Sequence, residues 1–317
     1  MKKITSILMV ALMVFCAMSG VAEEANYTVG ICQLVSHVAL DDATQGFMDA
    51  IKEELGDSVT FDLQNAAGDS NTCSTIVNGF VGSEVDLILA NATPSLQAAA
   101  AATADIPILG TSVTEYGVAL GINDFTGTVG GNISGTSDLA PLEKQAAMVK
   151  ELFPDAKNVG LIYCSAEANS QYQVDTVKGY LEEMGYNCTL YPFADSNDAT
   201  AVIQSACETS DVIYTPTDNT VAANATLVDN ICQPAGIPIV AGEEGTASGC
   251  GVATLSISYY DLGVTTGKMA VKILTGEADI STLPVAYADK FTEKYNPIIA
   301  ENLGVTIPEN YIAIELK

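Results

Sequence analysis

One βα pattern is written twice in this chain of 317 residues, and that repetition constrains the fold more than any other feature. Tyr27 to Leu34 reads as a short apolar strand carrying Val29-Gly30-Ile31-Cys32, and Val159-Gly160-Leu161-Ile162 returns it 130 positions later. Asp86-Leu87-Ile88-Leu89 is matched by Asp211-Val212-Ile213-Tyr214, 125 positions on. Ile106-Pro107-Ile108-Leu109 is matched by Ile237-Pro238-Ile239-Val240, 131 positions on. Helix signals lie between the strands. Residues 42–56 carry Phe47, Ile51 and Leu55 at helical spacing, with Gly56 as a stop. Residues 70–82 read as a helix, and Thr93-Pro94 opens another with a cap residue and an early proline. Residues 261–274 read as a further helix ending before Gly276. Val85 to Ala90 is almost continuously apolar, as strands of parallel sheets buried on both faces are.

The alternation predicts an α/β fold class of two doubly wound parallel-sheet lobes. Such sheets bind ligands beyond the carboxyl ends of their strands. Two facing lobes therefore make one cleft with strand ends from both sides. Polar residues collect there. In the first repeat they are His37 after the first strand, Asn91 and Thr93 after the third, and Thr111, Ser112 and Thr114 after the fourth. In the second they are Glu167, Asn169 and Ser170, then Thr217, Asp218 and Asn219, then Glu243 and Glu244. Hydroxyls and amides near helix N-termini suit a carboxylate, because free N–H groups and the helix dipole favour negative charge. The carboxylates of the second repeat suit an ammonium group. A ligand with both charges, an α-amino acid, would bridge the cleft. Thr93, Ser112 and Asp218 are equally readable as helix caps.

Charge narrows the ligand classes. The chain has 12 basic residues, all lysine, against 39 acidic ones, for a net charge of −27. Without basic patches, nucleic acid and anionic membrane surfaces are excluded as partners. A single histidine, His37, excludes a histidine-rich metal site and leaves little room for a catalytic triad, so no enzyme activity and no cofactor are expected. A carboxylate held without arginine must rest on hydroxyls, backbone N–H groups and helix dipoles. No tryptophan is present to stack a sugar.

Met1-Lys2-Lys3, an apolar run from Ile4 to Met18 and small residues at Gly20 and Ala22 predict a signal peptide over residues 1–22, and so an exported protein. Phe15 before Cys16 argues against a lipid anchor there. Seven cysteines remain beyond the leader, an odd number without any C-x-x-C spacing, and they read mainly as small buried apolar residues.

Six segments carry a family resemblance. They are Ser36 to Phe47, Val85 to Pro94, Gly135 to Asp138, Ala166 to Ser170, Tyr214 to Asn219 and Tyr259 to Gly263. Together they resemble the ABC-transporter substrate-binding family that has tryptophan- and phenylalanine-binding members, over essentially the whole chain beyond the leader. The resemblance implies a periplasmic-binding-protein type I fold, its two lobes joined by a multi-strand hinge. It also implies delivery of a small apolar or aromatic amino acid to a permease and ATPase complex by a monomer in the periplasm or on the outer face of the membrane. By the same resemblance, His37 and Leu40 line the side-chain pocket, and Asn91, Thr93, Thr111 and Ser112 hold the carboxylate. Glu167, Asn169, Ser170, Asp218 and Asn219 close from the other lobe and take the amino group, and the strand-end reading adds Glu243 to the site. Val38 and Ser36 depart from the family's usual proline and acid, which bears on side-chain specificity. The boundaries expected are 27–136 with 256–282 for one lobe and 137–255 with 283–317 for the other. Crossings are expected near 131–136, 254–258 and 283–288. A sensor presenting a sugar or nucleoside to a receptor would use the same cleft.

Overall fold

A computed structural model describes residues 26–316, so the expected leader and Cys16 lie outside the described residues. The first run of elements is β1 (Tyr27–Gln33), α1 (Val38–Leu55), β2 (Val59–Asn65), α2 (Ser70–Gly82), β3 (Leu87–Asn91), α3 (Thr93–Ala102), β4 (Ile108–Val113), α4 (Tyr116–Leu120) and β5 (Ile133–Ser137). The second is α5 (Leu142–Leu152), β6 (Asn158–Cys164), α6 (Ala168–Glu183), β7 (Asn187–Phe193), α7 (Ser196–Thr209), β8 (Val212–Thr215), α8 (Asn219–Ala223), α9 (Ala225–Cys232), β9 (Ile239–Ala241), α10 (Glu244–Cys250) and β10 (Ala253–Ser256). The remainder is α11 (Tyr259–Leu274), β11 (Ala286–Tyr287), β12 (Thr292–Tyr295), α12 (Pro297–Leu303) and β13 (Ile312–Ala313).

The strands form two sheets, ordered β11-β5-β4-β3-β1-β2 and β13-β12-β10-β9-β8-β6-β7. All pairings are parallel except β10 with β12. The two lobes of the repeat are therefore present, each a sheet with a core on either face. Phe47, Ile51 and Ala270 cover one face of the first sheet, and Val77, Phe80 and Leu96 the other. Val149, Val174 and Ile299 cover one face of the second sheet, and Ile203, Ala206 and Val228 the other.

The chain passes between the sheets three times, between β5 and α5, between β10 and α11, and between β11 and β12. Residues 283–287, expected in the second lobe, carry β11, which adds parallel to β5 before the chain crosses. β12 then arrives from the other lobe in the opposite direction, which is why it pairs antiparallel with β10. Ala39, Ala43, Ile257, Tyr259 and Leu262 form a small core at these crossings, with Phe291 packed on it.

Helices α1 and α11 lie against each other on the first sheet, and glycine makes the approach possible. A Cβ on Gly46 would overlap the Tyr260 carbonyl, one on Gly263 the Ala43 carbonyl, and one on Gly267 would stand 2.6 Å from the Phe47 carbonyl oxygen. Helix α1 begins four residues before the expected start, at Val38, so its first turn reaches the cleft. The seven described cysteines are free thiols, five of them buried, and Cys207 and Cys232 stand with their Sγ atoms 3.5 Å apart.

Candidate functional site

The carboxyl ends of both sets of strands face one small cavity between the lobes. Its volume is about 10 Å³, roughly the room of a single water, so the lobes are closed on it. The first lobe and its crossings contribute His37, Leu40, Ser112, Thr114, Asp138 and Tyr259. The second contributes Asn169, Thr217, Asp218, Asn219, Ala222 and Glu243.

Seven of the twelve residues given a place in the site from the sequence share this lining: His37, Leu40, Ser112, Asn169, Asp218, Asn219 and Glu243, with Thr114 and Thr217 from the same strand ends. The other five are not in its lining. Asn91 donates from Nδ2 to the Leu40 carbonyl at 2.8 Å and to Thr44 Oγ1 at 2.9 Å, tying the end of β3 to α1. Thr111 Oγ1 lies 3.2 Å from Thr136 Oγ1, which in turn lies 2.8 Å from Thr266 Oγ1, a hydroxyl chain buried under the sheet. Thr93 is buried at the start of α3, a helix without a side-chain cap. Ser170 is buried behind Asn169 and accepts from Asn169 Nδ2 at 3.3 Å.

Glu167 is also buried, with both oxygens occupied. Oε1 accepts from Thr220 N–H at 2.9 Å and Thr220 Oγ1 at 2.8 Å. Oε2 accepts from Asn219 N–H at 3.1 Å and Asn219 Nδ2 at 2.6 Å. The carboxylate completes the first turn of α8, where backbone donors lack helical partners. Asp218 accepts from Val221 N–H at 2.8 Å through Oδ1 and from Cys164 N–H at 2.6 Å through Oδ2. Burial and the neighbouring Glu167 charge push its carboxyl up, against those N–H groups. Glu243 accepts from the N–H groups of Gly245 and Thr246 and so caps α10. Glu244 turns away, paired with Lys294 at 2.7 Å.

Four cavity-lining residues carry a buried polar atom without a partner among the described residues: His37 Nδ1, Ser112 Oγ, Asp138 Oδ1 and Asn169 Oδ1. Buried polar atoms are nearly always bonded, and four of the nine left open among the described residues converge on this cavity, which makes it the candidate ligand site. Ser112 adopts φ 54, a left-handed conformation unusual for a residue with a side chain, where the β4–β5 register slips between Gly110 and Val113. Strained backbone of this kind gathers at functional sites.

Asp138 and Tyr259 escaped the sequence reading as contact residues, although both lie in segments quoted for the resemblance. Each sits on a crossing rather than at the end of a repeated strand. Ala222 was missed because an apolar residue within α8 carries no distinctive chemistry, and Thr217 was named at its strand end without being given a contact.

Comparison with known proteins places this cleft among relatives. A family model described as ABC transporter substrate binding protein matches residues 28–315. A tyrosine-binding protein of Clostridioides difficile is 38% identical over 265 residues, covering 83% of this chain and 76% of the relative. A crystal structure from Streptococcus pneumoniae in complex with L-Trp shares 32% identity at a TM-score of 0.86, covering 91% of this chain and 100% of the other. A ligand-free, open structure of a substrate-binding protein with adhesive properties from Clostridium difficile shares 38% identity at a TM-score of 0.69, covering 92% and 100%.

Proposed function

This chain belongs to the ABC transporter substrate-binding protein family, and we propose that it captures an aromatic amino acid between its lobes and hands it to a membrane permease and ATPase. The family is one of extracytoplasmic binding proteins rather than enzymes, with the periplasmic-binding-protein fold seen here. The single observation that carries the ligand class is the kinship with proteins that take tyrosine and tryptophan, joined to a cleft that offers open polar atoms beside Leu40, Ala222 and the ring of His37. Ser112 and Thr114, on the first lobe, serve the carboxylate. Leu40, Ala222 and His37 meet the side chain.

Binding works by hinge closure about the three crossings. The ligand-free, open relative shares more sequence with this chain than the tryptophan-bound one does, yet superposes less well. Identity governs how each lobe folds, so the difference supports a change in how the lobes sit. A cavity of about 10 Å³ cannot admit an amino acid until the lobes part. The ligand then favours the closed state by contacts that only closure completes. Micromolar affinity corresponds to about −8 kcal/mol. Several charge-assisted hydrogen bonds at roughly 1.5–3 kcal/mol each, with burial of an aromatic ring, supply that after ordering costs. The leader over residues 1–22 directs export, and the protein acts as a monomer.

The test is thermal unfolding of residues 23–317 with tryptophan, tyrosine, phenylalanine, a sugar panel and a nucleoside panel. An aromatic amino acid at about 100 times its Kd adds about 2.7 kcal/mol, a rise of roughly 5–10 °C. A shift with a sugar or nucleoside and none with any amino acid would reverse the reading.

A further inference from the structure

Of the four carboxylates that the sequence offers to an ammonium group, Glu244 is paired with Lys294 and the other three are engaged by backbone amides. Glu167 holds the first turn of α8, Asp218 holds Cys164 and Val221, and Glu243 holds the first turn of α10. Asp138 is different. It follows β5 on the first crossing, is 3% exposed, and lines the cavity. Tyr259, the first residue of α11 on the second crossing, donates its hydroxyl to Asp138 Oδ2 at 2.8 Å. Asp138 Oδ1 accepts no hydrogen bond of good geometry among the described residues, although the Thr114 hydroxyl stands near enough to favour its ionised form. Across the cavity, Asn169 leaves Oδ1 open while its Nδ2 donates to the Thr217 carbonyl at 3.1 Å.

We propose that Asp138 is the carboxylate that receives the ammonium group of the ligand, with Tyr259 as the positioning residue that aims it and Asn169 Oδ1 as the acceptor facing it from the other lobe. The assignment rests on the amino-acid reading above. An ammonium group has three donors, and two open oxygens from opposite lobes match it where a neutral or anionic group would leave both unsatisfied. The cavity lining contains Asp138, Asp218 and Glu243 and no lysine, so a cation inside it meets only opposite charge.

The placement also couples binding to closure. Asp138 and Tyr259 stand on two of the three crossings. With the lobes closed and no cation present, a carboxylate oxygen is buried without a donor, which is unfavourable. The ammonium group removes that penalty only in the closed state. That is the differential interaction a ligand needs to shift the equilibrium.

The experiment measures Kd by calorimetry for phenylalanine, tyrosine and tryptophan, each beside its desamino acid (phenylpropionate, hydroxyphenylpropionate and indolepropionate). Wild type, Asp138→Asn, Glu243→Gln and Tyr259→Phe are compared, with unliganded melting temperature as the fold control. Asp138→Asn is expected to lose about 10- to 100-fold in affinity for the amino acid and to hold the desamino acid as wild type does. Tyr259→Phe, which keeps the carboxylate, is expected to lose about fivefold with the same selectivity, and it carries the test if Asp138→Asn does not fold. Glu243→Gln is expected to change the preference less than Asp138→Asn. A folded Asp138→Asn that binds the amino acid as wild type does, or that loses both ligands equally, overturns the assignment alone. A wild type that binds no amino acid overturns the proposed function and this assignment with it.

Discussion

His37 Nε2 lies 3.2 Å from Asn219 Oδ1, and this contact joins the start of α1 in one lobe to the start of α8 in the other. Asn219 Nδ2 donates to Glu167 at 2.6 Å, so Oδ1 is the accepting atom and His37 donates from Nε2. Glu167 therefore acts at one remove, by orienting the amide that the histidine meets. His37→Ala should weaken amino-acid binding by about three- to tenfold, the size of one hydrogen bond. It should also enlarge the radius of gyration of the unliganded protein in small-angle scattering, because the closed state loses an interlobe contact. A radius identical to wild type would count against the contact as a latch.

Asp218→Ala should act first on stability. The carboxylate satisfies two buried N–H groups, and removing it leaves both without partners. Each costs about 1–3 kcal/mol, so the melting temperature should fall by roughly 5–15 °C. An unchanged melting temperature would show that Asp218 serves only the ligand.

Asp138 ties stability and binding to pH in opposite senses. Burial, with the Glu243 charge nearby, pushes its carboxyl up to about 6 despite the Tyr259 hydrogen bond and the adjacent Thr114 hydroxyl. The unfolded value is about 3.9. With the folded value raised, its contribution is fully present below about pH 4 and is lost as pH rises through about 6. The unliganded melting temperature should fall across that window, and less steeply in Asp138→Asn. An ammonium group needs the ionised form, so affinity should weaken below about pH 6, by up to about tenfold per unit. Asp218, Glu243, His37 and Tyr259 share the cavity, and the wild-type minus Asp138→Asn difference isolates Asp138 from them. Asp211, whose carboxyl is lowered by the N–H groups of Asn158 and Lys157, works the other way, and its contribution is lost only as pH falls through the acid range.

Gly263→Ala should destabilise the first lobe by about 1–3 kcal/mol, because the added methyl falls on the Ala43 carbonyl across the α1–α11 contact. Chemical denaturation would measure it. Gly79→Ala, whose new Cβ meets nothing, is the control, and equal stability in the two variants would mean the helices part freely.

The two-lobed α/β fold was legible because it rests on patterns that repeat along the chain. Apolar strands, helical spacing around Phe47 and Ile51, and the 130-position echo of Val29 in Val159 are properties of neighbouring residues. They fixed sheets, helices and a cleft at the strand ends, and so brought His37, Ser112, Asn169 and Asp218 to one place. The lobe boundary at 283 was misread because β11 is two residues long and pairs with a strand about 150 positions earlier.

Which polar atoms stay open for a ligand was decided by tertiary structure. A carboxylate is free or engaged according to donors that the fold delivers from far away. Asp218 receives Cys164 N–H from 54 positions off, and Glu167 receives Asn219 from 52. Asp138 meets Tyr259 across 121 positions, at a crossing outside the repeat. Sequence spacing records the chemistry each residue can offer, whereas hydrogen bonding is a short-range, directional property of folded atoms. Only the folded chain singles out Asp138 among four buried carboxylates.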